Sequence, residues 1–570
     1  MRVLGQPPQG VLCFSNARCA ITNSLLIPFV ICLKIRYHIS MSISSHRFFL
    51  IFIFCVSIFL HFIAIDYPQE AVFDEVHFGK FVSGYLTHQY FFDIHPPFGK
   101  LAIAGMARVA GFKPGFDFLN IGEQYPNSQY IWLRFLPALF GSMLAPLIYL
   151  LTLRLSGSSR ASRMAAFFIA FENALLVQSK FILIDSFLLF FGFASLYLFL
   201  ESRIFFAQGR WRGWWVIIIA GLCAGFAISV KWTALSFLGL ILLFGFFALL
   251  QKAISVWRAK RENRAQRENK SRTFLRGIIS RKKDPSNVYS PPSLRARMGS
   301  SSQQAMGYSG KGGIKKDFIK AAVAFTLLLL LPAILYTSLF ALHFSLLKES
   351  GPGDAYMTGR FRQSRDAGFP LSDFSANFVE LNREMYRANQ RITATHSYSS
   401  QWYTWPWMLR PVYYWNKDIS AGDTEWYAKI YFIGNPFVWW LSTVAVIYFF
   451  ARAVARLLRR LWKRFRRAHE GVSQGSMVTA VFLGVAYLFN LLPFIFIGRV
   501  MFLYHYLSAL VFAIMIAAIA FTSESRPRKF FISLLIAGAL LGFFAMLPLT
   551  YGIFLPASWP RSLFWLQSWV

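Results

Sequence analysis

A dense group of ionisable side chains follows the first long apolar segment of the chain. It occupies residues 73–80 and 90–100, whose sequences are FDEVHFGK and YFFDIHPPFGK. Asp74 and Glu75 are adjacent, so on one helix their side chains point in different directions. One carboxylate can then accept a proton from an attacking hydroxyl group while the other orients a partner or binds a cation. The pattern predicts a general-base site with Asp74 and Glu75 as catalytic candidates. Helix capping, or contact with lipid headgroups, is the alternative.

Three other side chains of these stretches are candidates for contact with a substrate: His77, His95 and Lys100. The two prolines after His95 remove backbone donors and stop any helix, and an apolar helical pattern resumes at Phe98. A shaped turn is therefore expected around His95. A purely structural role of this turn fits the sequence as well as contact of His95 with a substrate does.

The elements that must position these residues are membrane helices. Of the 570 residues, 56% are hydrophobic and only 15% are charged, and the apolar residues form runs of membrane-spanning length. Helices satisfy their own backbone groups in hydrocarbon, whereas open strands cannot. We therefore expect an all-α polytopic membrane protein of about eleven transmembrane helices. The predicted spans are about 48–65, 130–152, 164–180, 182–200, 213–230, 232–250, 320–341, 432–451, 477–497, 502–522 and 531–553.

The net charge is +34, and the basic residues responsible for it are distributed along the chain as the predicted topology requires. The largest basic groups lie at 251–318 and 452–467, and all basic groups fall on one side if the chain crosses at every span. The positive-inside rule makes that side cytoplasmic, so the loops 66–129 and 342–431 face outward. Attraction to anionic lipids then explains the excess charge better than nucleic-acid binding, and no nucleic-acid partner is expected.

Four parts of the chain follow from this topology. Residues 1–45 are expected to be a disordered N-terminal extension, unless the true translation start is Met41. Residues 46–250 are expected to form an N-terminal transmembrane core. Residues 251–319 are expected to be a flexible basic linker with some helix near 251–272, a regulatory docking segment being the alternative. Residues 320–570 form the C-terminal transmembrane part. Neither outward loop contains cysteine, so no disulfide framework is available there.

The outward loop 342–431 has the pattern of an ordered structure. Residues 377–386 have helical spacing, and the aromatic stretch QWYTWPW follows at 401–407. His396, Trp405 and Arg410 are candidates for a cap that faces the substrate. An interfacial aromatic belt is the alternative for any single Trp or Tyr.

Charged residues inside or beside the spans give a second indication of a site. Unpaired charge is costly in hydrocarbon, so these residues should be paired, lie at an interface or line a polar cavity. Most lie at outward ends: Arg134, Asp185, Lys231, Arg499 and His505. Asp185 is also a candidate for contact with a substrate. Cations near outward carboxylates suit a lipid-phosphate donor, because they can bind the phosphate and stabilise it as a leaving group. A structural ion pair is the alternative for each one.

Taken together, these motifs resemble the protein O-mannosyltransferases, membrane glycosyltransferases of the GT-C fold class. The resemblance rests on 73–80 with 90–100, and on IWLRFLP at 131–137, ENALLVQSKFILIDS at 172–186, SVKW at 229–232 and FLYHY at 502–506. Eukaryotic members of the family insert a luminal domain of three repeats where this chain has only about 90 residues, so the chain resembles the bacterial form. Many members also carry Arg where this chain has His61.

The resemblance implies inverting transfer of mannose from a polyprenyl or dolichyl phosphate carrier to Ser or Thr hydroxyls of exported proteins. It makes Asp74 the catalytic base, Glu75 its essential neighbour and Arg134 a residue at the donor phosphate. Lys231, Arg499 and His505 are the other candidates for donor-phosphate binding. The implied location is a bacterial inner membrane with the site facing outward, or alternatively the endoplasmic reticulum membrane.

The residues also permit other functions. The same fold class includes enzymes that glycosylate a lipid or glycan, and a transporter could use buried charges as a relay. Adjacent carboxylates can bind a divalent cation, but no His or Cys ligand spacing accompanies them, so no metal ligand is assigned. Membrane lipids are expected partners, and a dimer is left open.

Overall fold

The computed structural model of this chain describes residues 43–283, 311–392, 396–421, 424–464, 474–522, 529–557 and 559–569. Most of the predicted N-terminal extension 1–45, and residues 284–310 of the predicted linker, lie outside the described residues.

The described residues of the N-terminal half contain nine α-helices. They are α1 (Ile43–Phe62), α2 (Glu75–Thr87), α3 (Phe98–Val109), α4 (Tyr130–Ser156), α5 (Ser159–Ala170), α6 (Asn173–Lys180), α7 (Asp185–Ala207), α8 (Arg212–Ile228) and α9 (Leu235–Lys283). The short helices α2 and α3 belong to the predicted loop 66–129; they pack against each other, and α3 also packs against α4.

In the part of the C-terminal half that the structure describes there are eight α-helices and a small sheet. The helices are α10 (Lys311–Leu346), α11 (Gly359–Asp366), α12 (Phe374–Arg391), α13 (Pro436–Arg464), α14 (Gln474–Leu491), α15 (Leu507–Thr522), α16 (Lys529–Tyr551) and α17 (Pro560–Leu563), and the strands are β1 (Val412–Ala421), β2 (Thr424–Phe432) and β3 (Leu555–Pro556). Helix α12 confirms the helical spacing seen at 377–386.

Nine helices of the described part are long and apolar enough to cross a membrane: α1, α4, α7, α9, α10, α13, α14, α15 and α16. The other two predicted spans differ. Span 213–230 is the shorter helix α8 of 17 residues. Span 164–180 is divided into α5 and α6, because Glu172 adopts an extended conformation and its carboxylate accepts the Ala174 N–H at 3.3 Å as the cap of α6.

Helix α9 is much longer than the helix expected near 251–272. It begins beside Lys231 and continues without a break to Lys283. Its apolar part, 235–250, is about 24 Å long at 1.5 Å per residue. The basic segment therefore starts at the opposite end of α9 from Lys231.

The hairpin of β1 and β2 was not predicted from the sequence. The two strands pair antiparallel, and the register shifts between Tyr413 and Trp415, so Tyr414 is the additional residue of a bulge. Strand β3 adds a short third strand beside β2. The hairpin lies in the predicted outward loop, and its sequence is rich in Tyr, Trp and Ile, residues that favour strands.

Candidate active site

Asp74 and Glu75 begin helix α2 with their carboxylates in different surroundings. Asp74 occupies the cap position without a side-chain capping bond and is half-buried, whereas Glu75 is fully buried. The preceding residue, Phe73, has a φ of 48°, which a non-glycine residue seldom adopts. Two contacts with Tyr414 hold it there: the Phe73 N–H donates to the Tyr414 carbonyl at 3.1 Å, and the rings stack 4.0 Å apart.

Glu75 is held by Arg134 in a buried ion pair. The Arg134 Nε and Nη2 atoms donate to the two carboxylate oxygens of Glu75 at 2.8 and 2.9 Å. The remaining N–H groups of Arg134 donate to three carbonyls, those of Ile65, Pro68 and Glu70. All five donors of this guanidinium are therefore occupied within the protein.

This geometry argues against the predicted contact of Arg134 with a donor phosphate. The Arg134 side chain has no solvent exposure, and no N–H group remains for a ligand. Glu75 is likewise committed, because it also accepts the backbone N–H of Val72 and of Ile182 at 2.9 Å each. Arg134 and Glu75 hold the start of α2 against α4 and against the segment that follows α6. We assign both a positioning role, whereas Glu75 was predicted to be catalytic.

Lys100 organises the turn that contains His95. Its ammonium group is paired with Asp93 and donates to the His95 carbonyl at 2.7 Å. Burial lowers the pKa of Lys100, and the charge of Asp93 opposes that effect. Lys100 is thus a buried structural cation of the turn, which differs from the predicted substrate contact. His95 itself is half-buried, and burial, followed by the nearby charges of Lys231 and Arg499, holds its pKa well below the usual value.

Asp185 and Lys231 form a second ion pair. The Lys231 Nζ donates to both carboxylate oxygens of Asp185, at 2.8 and 2.9 Å. Gln178 donates to Asp185 at 2.7 Å and accepts the Tyr414 hydroxyl, so the pair is connected to the bulge of β1. The Lys231 Nζ also lies 5.5 Å from the centre of the Tyr504 ring.

Arg499 and His505 lie on the short connection between α14 and α15. The Arg499 Nη2 is 3.2 Å from the His505 Nε2, and its Nη1 donates to the Asn389 side chain at 2.7 Å. The neighbouring Tyr504 ring is centred 6.2 Å from the Phe73 ring and 5.5 Å from the Lys231 Nζ, so the start of α2, the second ion pair and this connection meet at one place. Since Arg499 is half-buried and has no carboxylate partner among the described residues, its charge is available to an anion.

Asp74 faces this cluster of charges. Burial raises the pKa of its carboxyl to about 6; the charges of His77 and Lys231 act in the opposite direction, and Asp185 and Asp93 reinforce the rise. Within the described residues, Asp74 has no ion pair, in contrast to Glu75, Asp93 and Asp185. A free carboxyl with this pKa is largely ionised at neutral pH and can still accept a proton effectively.

The remaining predicted candidates lie at the edge of this group or outside it. His77 is exposed on α2, and His396 is exposed and packs its ring on Phe502. Arg410 is exposed in a separate surface cavity of about 520 Å³. Trp405 is fully buried, stacks on His505 and donates to the Ser400 hydroxyl at 3.0 Å, so it supports the site from within the protein and is not a substrate-facing residue.

Several residues of the site were not assigned from the sequence: Phe73, Asp93, Gln178, Asn389, Tyr414 and Tyr504. Asp93 was detectable as a further charge beside His95, whereas Asn389 and Tyr414 reach the site only through tertiary contacts. The donor set does not fit a divalent cation. No three His, Cys, Asp or Glu side chains of the described residues come together, and Asp93 and Asp185 are each committed to a lysine.

Comparison with known proteins agrees with this fold. Residues 51–348 match the family model of the dolichyl-phosphate-mannose-protein mannosyltransferases, and residues 374–569 match that of the C-terminal four-transmembrane region of protein O-mannosyltransferases. The fold is similar to a chain of the S. cerevisiae protein O-mannosyltransferase Pmt1-Pmt2 complex bound to the sugar donor. The TM-score is 0.73 at 18% identity, with 93% of each chain covered. The predicted multi-pass GT-C architecture is thereby confirmed.

Curated relatives match over part of their length. Protein O-mannosyltransferase 1 of Drosophila melanogaster is 30% identical over 305 residues, which are 53% of this chain and 28% of that protein. Dolichyl-phosphate-mannose–protein mannosyltransferase 1 of Candida albicans is 32% identical over 299 residues, 52% of this chain and 28% of the relative. The matched region thus spans less than a third of either relative. Because one family model alone covers residues 51–348 of 570, the chain belongs to the dolichyl-phosphate-mannose-protein mannosyltransferase family.

Proposed function

We propose that this chain transfers mannose, with inversion, from a polyprenyl or dolichyl phosphate carrier to Ser or Thr hydroxyls of proteins. The observation that carries the proposal is the state of Asp74. Among the described residues it is the one carboxylate of the site without an ion pair, and it lies in the same charged cluster as the unneutralised Arg499. The site thus offers a base for a hydroxyl group and a cation for a phosphate.

Asp74 acts as the general base of the transfer. Its carboxylate takes the proton of the acceptor hydroxyl while the hydroxyl oxygen forms a bond to the anomeric carbon of the mannose. The bond between that carbon and the phosphate oxygen breaks on the opposite face, and the carrier phosphate leaves with the bonding electrons. A single displacement of this kind inverts the anomeric carbon.

Arg499 and Lys231 stabilise the phosphate as it leaves. Arg499 uses two of its N–H groups inside the protein, on Asn389 and His505, which leaves three for phosphate oxygens. Lys231 gives two bonds to Asp185 and has a third proton to donate. Groups already in place where charge develops are an effective source of transition-state stabilisation. His505 holds Arg499 and has no free ring nitrogen for the phosphate, since its Nδ1 contacts Phe502.

The names of similar proteins support this substrate class. The matched family and the relatives are mannosyltransferases by name, and the similar solved complex is bound to the sugar donor. That complex joins two chains, which supports a dimer here; light scattering of the purified protein in detergent tests it. We keep the outward orientation and the bacterial inner membrane as proposals, with the endoplasmic reticulum membrane as the alternative.

The direct test is mannose transfer by the purified protein. We expect labelled mannose to move from a polyprenyl phosphate carrier onto a Ser- or Thr-containing peptide, and not onto the same peptide with Ala at those positions. Asp74→Asn should reduce turnover by at least about 100-fold, a typical contribution of a general base. Transfer to a lipid or glycan instead of the peptide would overturn the acceptor, and unchanged turnover of Asp74→Asn would overturn the base.

A further inference from the structure

Asn389 connects three parts of the site that are distant in sequence. It lies near the end of α12, and its side-chain amide donates to the carbonyl of Ile94 at 3.0 Å, directly before His95. The oxygen of the same side chain accepts the Arg499 Nη1 at 2.7 Å. A single neutral side chain thus joins α12 to the turn that contains His95 (the His95 turn) and to the segment between α14 and α15 that contains Arg499 (the Arg499 connection).

Two backbone contacts fix the Arg499 connection to the same region. The Val500 N–H donates to the carbonyl of Ile392 at 3.2 Å, immediately after α12. The Ser400 N–H donates to the carbonyl of Met501 at 2.8 Å. The backbone directly after Arg499 is therefore restrained, and the guanidinium itself is oriented by its contacts with Asn389 and His505.

The other buried cations of the site differ from Arg499 in charge balance. Arg134, Lys100 and Lys231 are paired with Glu75, Asp93 and Asp185, respectively. The partners of Arg499 are an amide and an imidazole, and neither neutralises its charge. An amide at 389 supplies the acceptor that orients the guanidinium and preserves the positive charge.

We propose that Asn389 is a positioning residue that aims Arg499 at the phosphate of the donor and fixes the His95 turn relative to it. The inference rests on the proposed function and deepens it, because it specifies how the donor end of the site is assembled. Asn389 acts through Arg499 and does not itself take part in the bond changes.

The chemistry of the amide predicts how substitutions behave. Asn389→Asp keeps an acceptor for Arg499 but adds a negative charge that neutralises it, and a carboxylate cannot donate to the Ile94 carbonyl. Asn389→Ala removes both contacts without adding charge. We therefore expect the aspartate variant to impair phosphate binding more than the alanine variant does.

Asn382 provides a matched control on the same helix. It lies two turns earlier in α12, accepts the Tyr336 hydroxyl at 2.6 Å, and donates within its own helix as Asn389 does. Asn382→Asp adds the same charge to the same helix face and retains an acceptor for Tyr336, but it does not contact Arg499. It should leave donor use unchanged.

The test combines kinetics with binding of a polyprenyl monophosphate. Asn389→Asp should raise the KM for the donor and the dissociation constant of the polyprenyl monophosphate at least about tenfold, the loss expected for one charge-assisted contact. The KM for the acceptor peptide should stay within about twofold. Asn389→Ala should change the same quantities in the same direction but less. In an Arg499→Gln background, Asn389→Ala should add little, because this variant adds no charge and acts through Arg499.

Three outcomes would overturn the inference: equal changes in the KM for donor and acceptor, an aspartate variant that behaves like Asn382→Asp, or full additivity of Asn389→Ala with Arg499→Gln. If Asn389→Asp does not fold, Asn389→Ala decides on the same measurements. Binding of the monophosphate is measured without any transfer, so a chain that binds it through Arg499 but transfers no mannose would contradict the proposed function while supporting the role of Asn389.

Discussion

At the scale of single residues, two adjacent carboxylates have different tasks. Glu75 is neutralised by Arg134, which has all five donors occupied, whereas Asp74 has no ion pair in the described part of the chain. The sequence predicted both as site residues. It could not predict the division between them, because the partner of Glu75 is 59 residues away and the two residues meet only in the folded chain.

The pH dependence of transfer follows from Asp74. Its pKa of about 6 is raised above the usual carboxyl value, so the proton-accepting form appears as the pH rises through about 6. We expect kcat/KM to increase over that range and to level off above pH 7, because this quantity reports groups of the free enzyme. The acidic limb should be absent from the residual activity of Asp74→Asn. A limb near pH 4 in the intact enzyme would contradict the raised pKa.

Arg134→Ala should destabilise the protein instead of selectively weakening donor binding. The change leaves Glu75 as a buried unpaired carboxylate, and breaking a buried pair in this way typically costs about 3–5 kcal/mol. Thermal unfolding in detergent measures the loss, and Arg134→Lys, which has three donors in place of five, should be intermediate. An unchanged unfolding temperature together with a selective increase in the KM for the donor would instead support the predicted contact of Arg134 with the donor phosphate.

At the scale of elements, the bulge in β1 supports the turn that carries Asp74. The sequence predicted the membrane helices because long apolar runs leave few alternatives. It did not predict the hairpin, whose strands are partly buried and which contributes Tyr414 by a shift of register. The break between α5 and α6 at Glu172 was not predicted either, because the apolar pattern of the sequence continues through it.

Tyr414 should tolerate loss of its hydroxyl better than loss of its ring. Tyr414→Phe keeps the stack on Phe73 and loses the bond to Gln178, so we expect activity within a fewfold of the original. Tyr414→Ala removes a fully buried ring, at a typical cost of about 3–5 kcal/mol, and releases the strained Phe73. Turnover and unfolding temperature of both variants provide the measurement, with the exposed Ile419→Ala as control. Equal behaviour of the two Tyr414 variants would refute the role of the stack.

At the scale of the whole molecule, the site and the basic segment lie at opposite ends of α9. The positive-inside argument predicted this separation from charge alone, and the continuous helix from Leu235 to Lys283 supports it. Nine long apolar helices of the described residues match predicted spans, and the other two of the eleven predicted spans correspond to the shorter α8 and to the α5–α6 pair. A helix of 17 residues and a capped break have enough apolar character to appear as spans in the sequence.

Single cysteines should report opposite sides of the membrane. In a variant without the native cysteines, Lys80→Cys lies in the exposed part of α2 and Lys260→Cys in the exposed extension of α9. A membrane-impermeant maleimide should label only one of them in sealed vesicles, and both after permeabilisation. Labelling of both in sealed vesicles would contradict the topology.

The buried pair of Glu75 and Arg134 also affects how genetic results on this protein should be interpreted. A mutational scan scored only by growth or product would mark Asp74, Glu75 and Arg134 as equally indispensable, since loss of the base and loss of the fold both end transfer. Indispensability would then suggest three reacting groups where the geometry supports one. Only a scan that also records the amount of folded protein in the membrane would separate Asp74 from the other two.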